Sequence, residues 1–246
     1  MRVDLLCSGS KGNSCLVREG ETQILIDCGS TKKYLMNSLK SVNQKVDDLN
    51  GVLITHTHKD HVSQIKHFSH LPIYSWCDLD VENHHIVLPL EEFDIGNFHI
   101  KVIQLSHDCP KTVGFVIWGH SQKLVYITDT GYIPNYEKEY LMDADTYIFE
   151  SNHDPQMLMS TARPMFVKQR ILGDNGHLCN EDSGSNLCHI VNANTKNIVL
   201  AHISQEGNDP HLALDTLHDT FLRKDMTLRG IHAQAAPQFK IVTIEE

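Results

Sequence analysis

Residues 51–61 read Gly-Val-Leu-Ile-Thr-His-Thr-His-Lys-Asp-His, a short apolar run followed at once by three histidines and an aspartate. Val52-Leu53-Ile54 has the composition of a buried strand. His56 and His58 stand two apart, so on extended backbone their side chains leave the same face and reach one ion. Asp60 and His61, just beyond, point elsewhere. Neutral imidazole and carboxylate suit Zn²⁺, Mn²⁺ or Fe²⁺, and four such groups split over two directions point to two adjacent ions. The alternative is a solvated His-rich tract, but a random polar tract does not come with a strand-then-loop setting.

Four other segments share this layout. Ile24-Leu25-Ile26 ends in Asp27, Val102-Ile103-Gln104-Leu105-Ser106 in His107, Val125-Tyr126-Ile127-Thr128 in Asp129, and Ile198-Val199-Leu200-Ala201 in His202. Strand ends face the loops where ligands bind. Singly each is weak, because a strand-end His or Asp is more often a turn or cap residue.

The chain has 246 residues with 41% hydrophobic and 21% charged content, ample for a core, and no internal boundary divides it, so residues 1–246 read as one domain. The net charge of −10 argues against a protein that coats nucleic acid by general electrostatics. It does not exclude a nuclease, since two divalent ions reverse the local potential. Asp4 interrupts the first apolar stretch, no cleavable signal pattern is present and no apolar run is long enough to span a bilayer; the expected location is cytoplasmic, with no membrane partner. Seven cysteines without a CxxC pair indicate neither a disulfide framework nor a Cys-type zinc site.

Strands are expected at Val3–Cys7, Ser14–Arg18, Thr22–Asp27, Gly51–Ile54, Pro72–Ser75, His85–Leu88, His99–Gln104, Thr112–Trp118, Lys123–Thr128, Thr146–Glu150, Asn197–Ala201 and Gln238–Ile244. Helices are expected at Thr31–Leu39, around Phe166–Leu172, at Asn186–Asn192 and at Asp209–Phe221, with Pro210 in the first turn of the last. Two strand-rich halves, each finished by helices, give an α/β fold: a four-layer αββα sandwich.

In order, His56-x-His58-x-Asp60-His61, His107, Asp129 and His202 resemble the ligand series of the metallo-β-lactamase-fold hydrolases, over nearly the whole chain. Cys7-Ser8-Gly9-Ser10-Lys11-Gly12-Asn13-Ser14, Glu150-Ser151-Asn152-His153-Asp154 and Gly176-His177-Leu178-Cys179-Asn180 are similar to the YycJ/WalJ branch, which is related to ribonuclease Z and acts on nucleic acid. The resemblance implies that His56, His58 and His107 hold one divalent metal ion, that Asp60, His61 and His202 hold a second, and that Asp129 bridges them. Asp27 would stand behind the ligands and orient an imidazole.

The function implied is a dinuclear metal-dependent phosphodiesterase, foremost a DNA exonuclease. Asp60 would also orient the attacking hydroxide, and His177, a non-ligand His by the ribonuclease Z pattern, would protonate the leaving oxygen. Ser10, Asn13, His153 and Asn180 are candidates for substrate contact. So, less specifically, are Ser183, Ser185 and the cations Arg163, Lys168 and Arg170, although a solvated helix face has the same look. One departure is Cys179, which stands where the branch pattern has Ser. The runner-up is a phosphodiesterase of small molecules such as cyclic nucleotides, with the same metals and a narrower cleft; thioester or lactam hydrolysis and a metal-bearing protein without catalysis stand further back.

Overall fold

The computed structural model describes residues 1–245, and the chain divides into two compact units. The first takes in Met1–Gln104, Lys111–Ser121 and the C-terminal segment from Pro237; the second takes in Leu105–Pro110 and Gln122–Ala236.

The first unit begins with β1 (Arg2–Cys7), β2 (Ser14–Glu19) and β3 (Thr22–Ile26), consecutive antiparallel strands. Helix α1 (Lys32–Ser41) follows, N-capped by Thr31, whose hydroxyl accepts the Tyr34 N–H. Then come β4 (Gly51–Ile54), the single helical turn α2 (Lys59–Val62), β5 (Ile73–Ser75) and β6 (His84–Ile86), with β3 to β6 running parallel. Parallel strands are covered on both faces, which is why β3 and β4 read as unbroken apolar runs. Leu16, Leu25, Leu35, Leu39, Val52, Ile54, Phe68 and Ile73 form the core beneath α1. Each fully buried side chain of this kind contributes roughly 1.5–3 kcal/mol by leaving water. An antiparallel meander of β7 (Glu92–Ile95), β8 (Phe98–Gln104) and β9 (Val113–Trp118) completes this part.

The second unit is built on the parallel strands β10 (Lys123–Ile127), β11 (Thr146–Glu150), β12 (Asn197–Ala201) and β13 (His232–Ala235). Helix α3 (Asn135–Leu141) lies between β10 and β11; α4 (Pro155–Ser160), α5 (Met165–Leu172) and α6 (Asn180–Ile190) lie between β11 and β12; and α7 (Pro210–Arg223) precedes β13. Parallel strands require such crossovers. Helix α6 packs on α7 so closely that a Cβ on Gly184 would meet Thr220 Cβ at 3.0 Å. The chain then returns to the first unit, where β14 (Val242–Glu245) pairs antiparallel with β1.

Most boundaries shift by a residue or two from the sequence reading, and three of the differences are instructive. Helix α6 starts at Asn180, not Asn186, because Asn180, Ser183, Gly184, Leu187 and Ile190 form one buried stripe at helical spacing that the polar residues conceal. The closing strand starts at Val242, because the buried Gln238 spends its side-chain amide on the Gly12 carbonyl at 3.1 Å. The strand expected at His85–Leu88 lies at His84–Ile86. Strand β7 alternates but is only four residues long, and β13, α3 and α4 carry too little apolar periodicity to be read in advance.

Candidate metal centre

In the first unit the site grows from the ends of β3 and β4. Asp27 follows β3 directly, is fully buried and takes a left-handed backbone, φ 59°. That conformation costs a non-glycine residue about 1 kcal/mol, and the carboxylate's contacts offset it. Asp27 Oδ1 accepts the Thr55 N–H at 2.9 Å, and Oδ2 accepts the Thr55 hydroxyl at 2.9 Å and His61 Nδ1 at 2.7 Å. Burial pushes the Asp27 carboxyl up, while the His61 ring and the Thr55 donors oppose it. An acceptor-only carboxylate on Nδ1 leaves the lone pair of His61 on Nε2.

The turn α2 carries Asp60 and His61 and is clamped from both sides. Asn13 N–H donates to the Asp60 carbonyl at 2.8 Å and Cys28 N–H to the His61 carbonyl at 2.8 Å. Gly29 is indispensable to this clamp, since a Cβ there would lie 1.6 Å from the Asp60 carbonyl oxygen. The rings of His56 and His58 stand 4.6 Å apart and those of His56 and His61 4.0 Å apart, while His61 Nε2 is 3.6 Å from Asp60 Oδ2. Three imidazoles and a carboxylate therefore lie close together, although the spacing alone had Asp60 and His61 pointing away from His56 and His58.

In the second unit Asp129 and His202 follow β10 and β12, both with left-handed backbone, φ 61° and 54°. Between them β11 ends in Glu150, fully buried. Glu150 Oε1 accepts His177 Nδ1 at 2.8 Å and His202 Nδ1 at 3.0 Å; Oε2 accepts the N–H groups of Thr130 at 2.9 Å and Leu178 at 3.2 Å. Burial works against its ionisation, but the His177 charge and the bonds from His177 and His202 outweigh it, so its pKa falls to about 2. His107 Nδ1 donates to the Gly176 carbonyl at 3.0 Å. Burial pushes His107 down, against the pull of Asp129.

The donor set fits a metal. Asp129, Glu150, His177 and His202 each offer a ligand atom within 4.8 Å of the others. With Nδ1 of His202 committed to Glu150, the Nε2 lone pair faces Asp129 Oδ1 at 3.4 Å; two such lone pairs repel unless a proton or cation lies between them. His177 is more exposed than its neighbours His107 and His202: its side chain is 16% accessible, against 3–4% for those two.

Of the residues expected to touch substrate, Ser10 is exposed. Asn13, His153 and Asn180 are buried, and the two asparagines spend their amides within the protein. Asn13 closes its own loop, accepting the Gly9 N–H at 2.7 Å, while its Nδ2 lies 2.8 Å from His61 Nε2 and 3.2 Å from Asp60 Oδ2. Asn180 Oδ1 accepts from the Ser151 hydroxyl and from Asn208. His153 is 1% exposed, and burial lowers its pKa to about 4, so it is neutral at pH 7. The three expected cations are engaged as well. Arg163 pairs with Glu206, Arg170 pairs with Asp108, and buried Lys168 donates to the carbonyls of Met159 and Thr161. Cys179 is the N-cap of α6, its sulfur accepting the Asp182 N–H at 3.4 Å.

Glu150 has no role among the residues expected from the sequence, although it lies in the Glu150–Asp154 motif. Its signal was the same strand-end rule that singled out Asp27 and Asp129: an apolar strand, Tyr147-Ile148-Phe149, running into an acid. Thr55, which ties Asp27 to the histidine loop, carried no signal of its own.

Residues 22–203 match the family model described as the beta-lactamase superfamily domain. The chain belongs to this superfamily and has its metallo-β-lactamase fold, the αββα class expected. Within it, the chain is 31% identical over 231 residues to exodeoxyribonuclease YycJ of Bacillus anthracis, covering 87% of this chain and 86% of that one. It is 30% identical over 241 residues to exodeoxyribonuclease WalJ of Streptococcus pneumoniae, covering 92% and 90%. Among solved structures, YhfI of Bacillus subtilis, a metallo-β-lactamase fold protein, superposes with a TM-score of 0.76 at 18% identity, covering 99% of both chains. The short form of human tRNase Z superposes with a TM-score of 0.67 at 17% identity, covering 100% of both.

Proposed function

We propose that this protein is a dinuclear metal-dependent exodeoxyribonuclease. The observation that carries the reading is Glu150, whose single oxygen holds both His177 and His202, joined to a likeness along most of the chain to two exodeoxyribonucleases. The family model runs through both units, so the reading treats them as one hydrolase domain.

We assign His56, His58 and His107 to one ion and Asp60, His61 and His202 to the other, with Asp129 serving both; the assignment rests on the order of the family's ligand series. His and Asp donors accept Zn²⁺, Mn²⁺ or Fe²⁺. When bound, such a pair supplies positive charge to a phosphate oxygen and acidifies a water toward neutrality. The chain's own part is orientation and proton transfer. Asp27 and Glu150 fix the tautomers of His61 and His202, keeping Nε2 as the coordinating atom. His177, anchored through Nδ1 to Glu150 and partly accessible, is our proton donor to the leaving oxygen through Nε2. Asp60, 24% accessible at its side chain, is placed to accept a hydrogen bond from the attacking water.

The working compartment we assign is the cytoplasm: all seven cysteines are free thiols, and no helix among the described residues is long and apolar enough to cross a membrane. The net charge of −10 favours a second reading, a phosphodiesterase of small nucleotides. End-labelled single- and double-stranded DNA, incubated with protein loaded with Mn²⁺ or Zn²⁺, separates the two. Stepwise loss of label supports the exonuclease. Hydrolysis of a chromogenic diester with DNA left intact supports the second reading instead. Asp129→Ala is expected to be inactive on both substrates.

A further inference from the structure

Beside Asp60, within the first unit, lies a cavity of about 600 Å³ that the residues discussed so far leave without a purpose. Lys11, Lys32 and Lys59 line it, together with Ser10 and Ser30. On a chain with an excess of ten negative charges, three lysines line one cavity, and no carboxylate among the described residues lies within ion-pairing distance of any of their ammonium groups. The cavity also meets the N-terminus of α1. That ten-residue helix has no acidic residue in its first turn, so the partial positive charge of its free N–H groups stays uncompensated.

Ser30 gives an independent sign. It is 7% exposed, its hydroxyl has no hydrogen-bond partner, and it takes a left-handed backbone, φ 83°. Ser63 Oγ and Gln64 Nε2 both donate to its carbonyl, at 2.7 and 2.8 Å, and a Cβ on Gly12 would run into Ser30 Cβ at 2.4 Å. A strained serine so firmly held, with a buried donor left unused, is a group kept for a ligand. Lysine ammoniums, a free helix N-terminus and a serine hydroxyl are together the chemistry of a phosphate site.

We propose that this cavity seats a phosphate of the DNA strand next to the scissile one, so that the strand is held in register over Asp60. The proposal rests on the exodeoxyribonuclease reading. It makes Lys11, Ser30, Lys32 and Lys59 substrate-positioning residues.

The test uses the full chain with Lys32→Gln, Lys11→Gln and Ser30→Ala, and with Lys40→Gln, on the last turn of α1, as a charge control. Two quantities are read: binding of a fluorescein-labelled duplex by EDTA-treated protein, followed by anisotropy, and kcat/KM of the metal-loaded protein on DNA relative to bis-p-nitrophenyl phosphate. Each lysine variant is expected to bind DNA about five- to tenfold more weakly and to lose a similar factor in the DNA-to-diester ratio, mainly through KM. Lys40→Gln is expected to match wild type. Running 5′-phosphorylated and 5′-hydroxyl duplexes in parallel identifies the source: a loss confined to the phosphorylated duplex assigns a terminal phosphate, an equal loss an internal one. If Lys11→Gln and Lys32→Gln bind and cut DNA as wild type does, or if Lys40→Gln is equally impaired, the phosphate site is wrong. A wild-type protein that hydrolyses the diester and leaves DNA intact instead sinks the exodeoxyribonuclease reading itself.

Discussion

Glu150 Oε1 accepts the Nδ1 hydrogen of His177 at 2.8 Å, and both residues sit where chain segments far apart in sequence meet. The same oxygen takes His202 Nδ1 at 3.0 Å. One carboxylate thus sets the tautomer of a proposed proton donor and of a proposed metal ligand at once.

Replacing Glu150 by Gln keeps the shape but leaves one acceptor oxygen where two worked. Either the amide nitrogen takes the Oε1 position and both histidines lose their acceptor, or it takes the Oε2 position and an N–H is turned toward the donors Thr130 N–H and Leu178 N–H. Affinity for Mn²⁺ or Zn²⁺, titrated against a competing chelator, is expected to fall about 10- to 100-fold. In the wild type, removal of metal with EDTA should abolish activity, and metal re-addition should restore it. Unaltered metal affinity in Glu150→Gln would remove Glu150 from the site's design.

Gly29→Ala places a methyl 1.6 Å from the Asp60 carbonyl oxygen, backbone against backbone. No rotamer relieves that contact, so the turn carrying Asp60 and His61 must move. A loss of about 3 kcal/mol or more in urea unfolding is expected, or no soluble protein at all. Full stability with weakened metal binding would mean that the turn yields without cost.

Asp4 gives the pH dependence away from the metal ligands. It is fully buried and bonded by Arg2, Arg18 and Thr243, whose contacts outweigh the burial that would raise its pKa; the net direction is down. A depressed carboxyl contributes stability that is full above its unfolded value near 3.9 and disappears as pH falls through the folded value. Asp4→Asn should therefore cost about 2–3 kcal/mol at pH 7. Urea titrations of metal-free protein should show the gap to wild type closing below about pH 4. A gap that is constant from pH 7 to pH 3 would contradict the assignment.

Cys179 caps α6 with a sulfur 3.4 Å from the Asp182 N–H, a longer and weaker bond than a hydroxyl makes. Cys179→Ser is expected to raise stability by about 0.5–1 kcal/mol, read as a higher midpoint in thermal unfolding. Burial lifts the thiol to about 11, so iodoacetamide should modify it slowly at pH 7. A lower midpoint for the serine variant would show that the sulfur's packing outweighs its capping.

The strands that carry the site were legible because they are parallel and buried, and such strands appear in sequence as apolar runs with abrupt polar ends. Gly51–Ile54, Thr146–Glu150 and Asn197–Ala201 fall where they were read. Helix α6 was half hidden, because its buried face is made of Asn, Ser and Gly, which imitate a loop until packing on α7 hides them. Strand β13 was invisible for a similar reason: His232–Ala235 has little apolar content and is held by its register with β12.

The sequence by itself determined the donors. Histidine and aspartate at the ends of apolar strands are a local pattern, and local patterns survive without a structure. Only the tertiary structure decided how the donors are held: that Asp27 grips His61 and Glu150 grips His177 and His202, that Asn13, His153 and Asn180 are buried, and that Lys11, Lys32 and Lys59 gather around Ser30. Lys32 apart, which is a near neighbour of Ser30 in sequence, those relations join residues from about 20 to about 50 positions apart. Hydrogen bonding and burial depend on where chain segments meet in space, and no spacing along the chain encodes that.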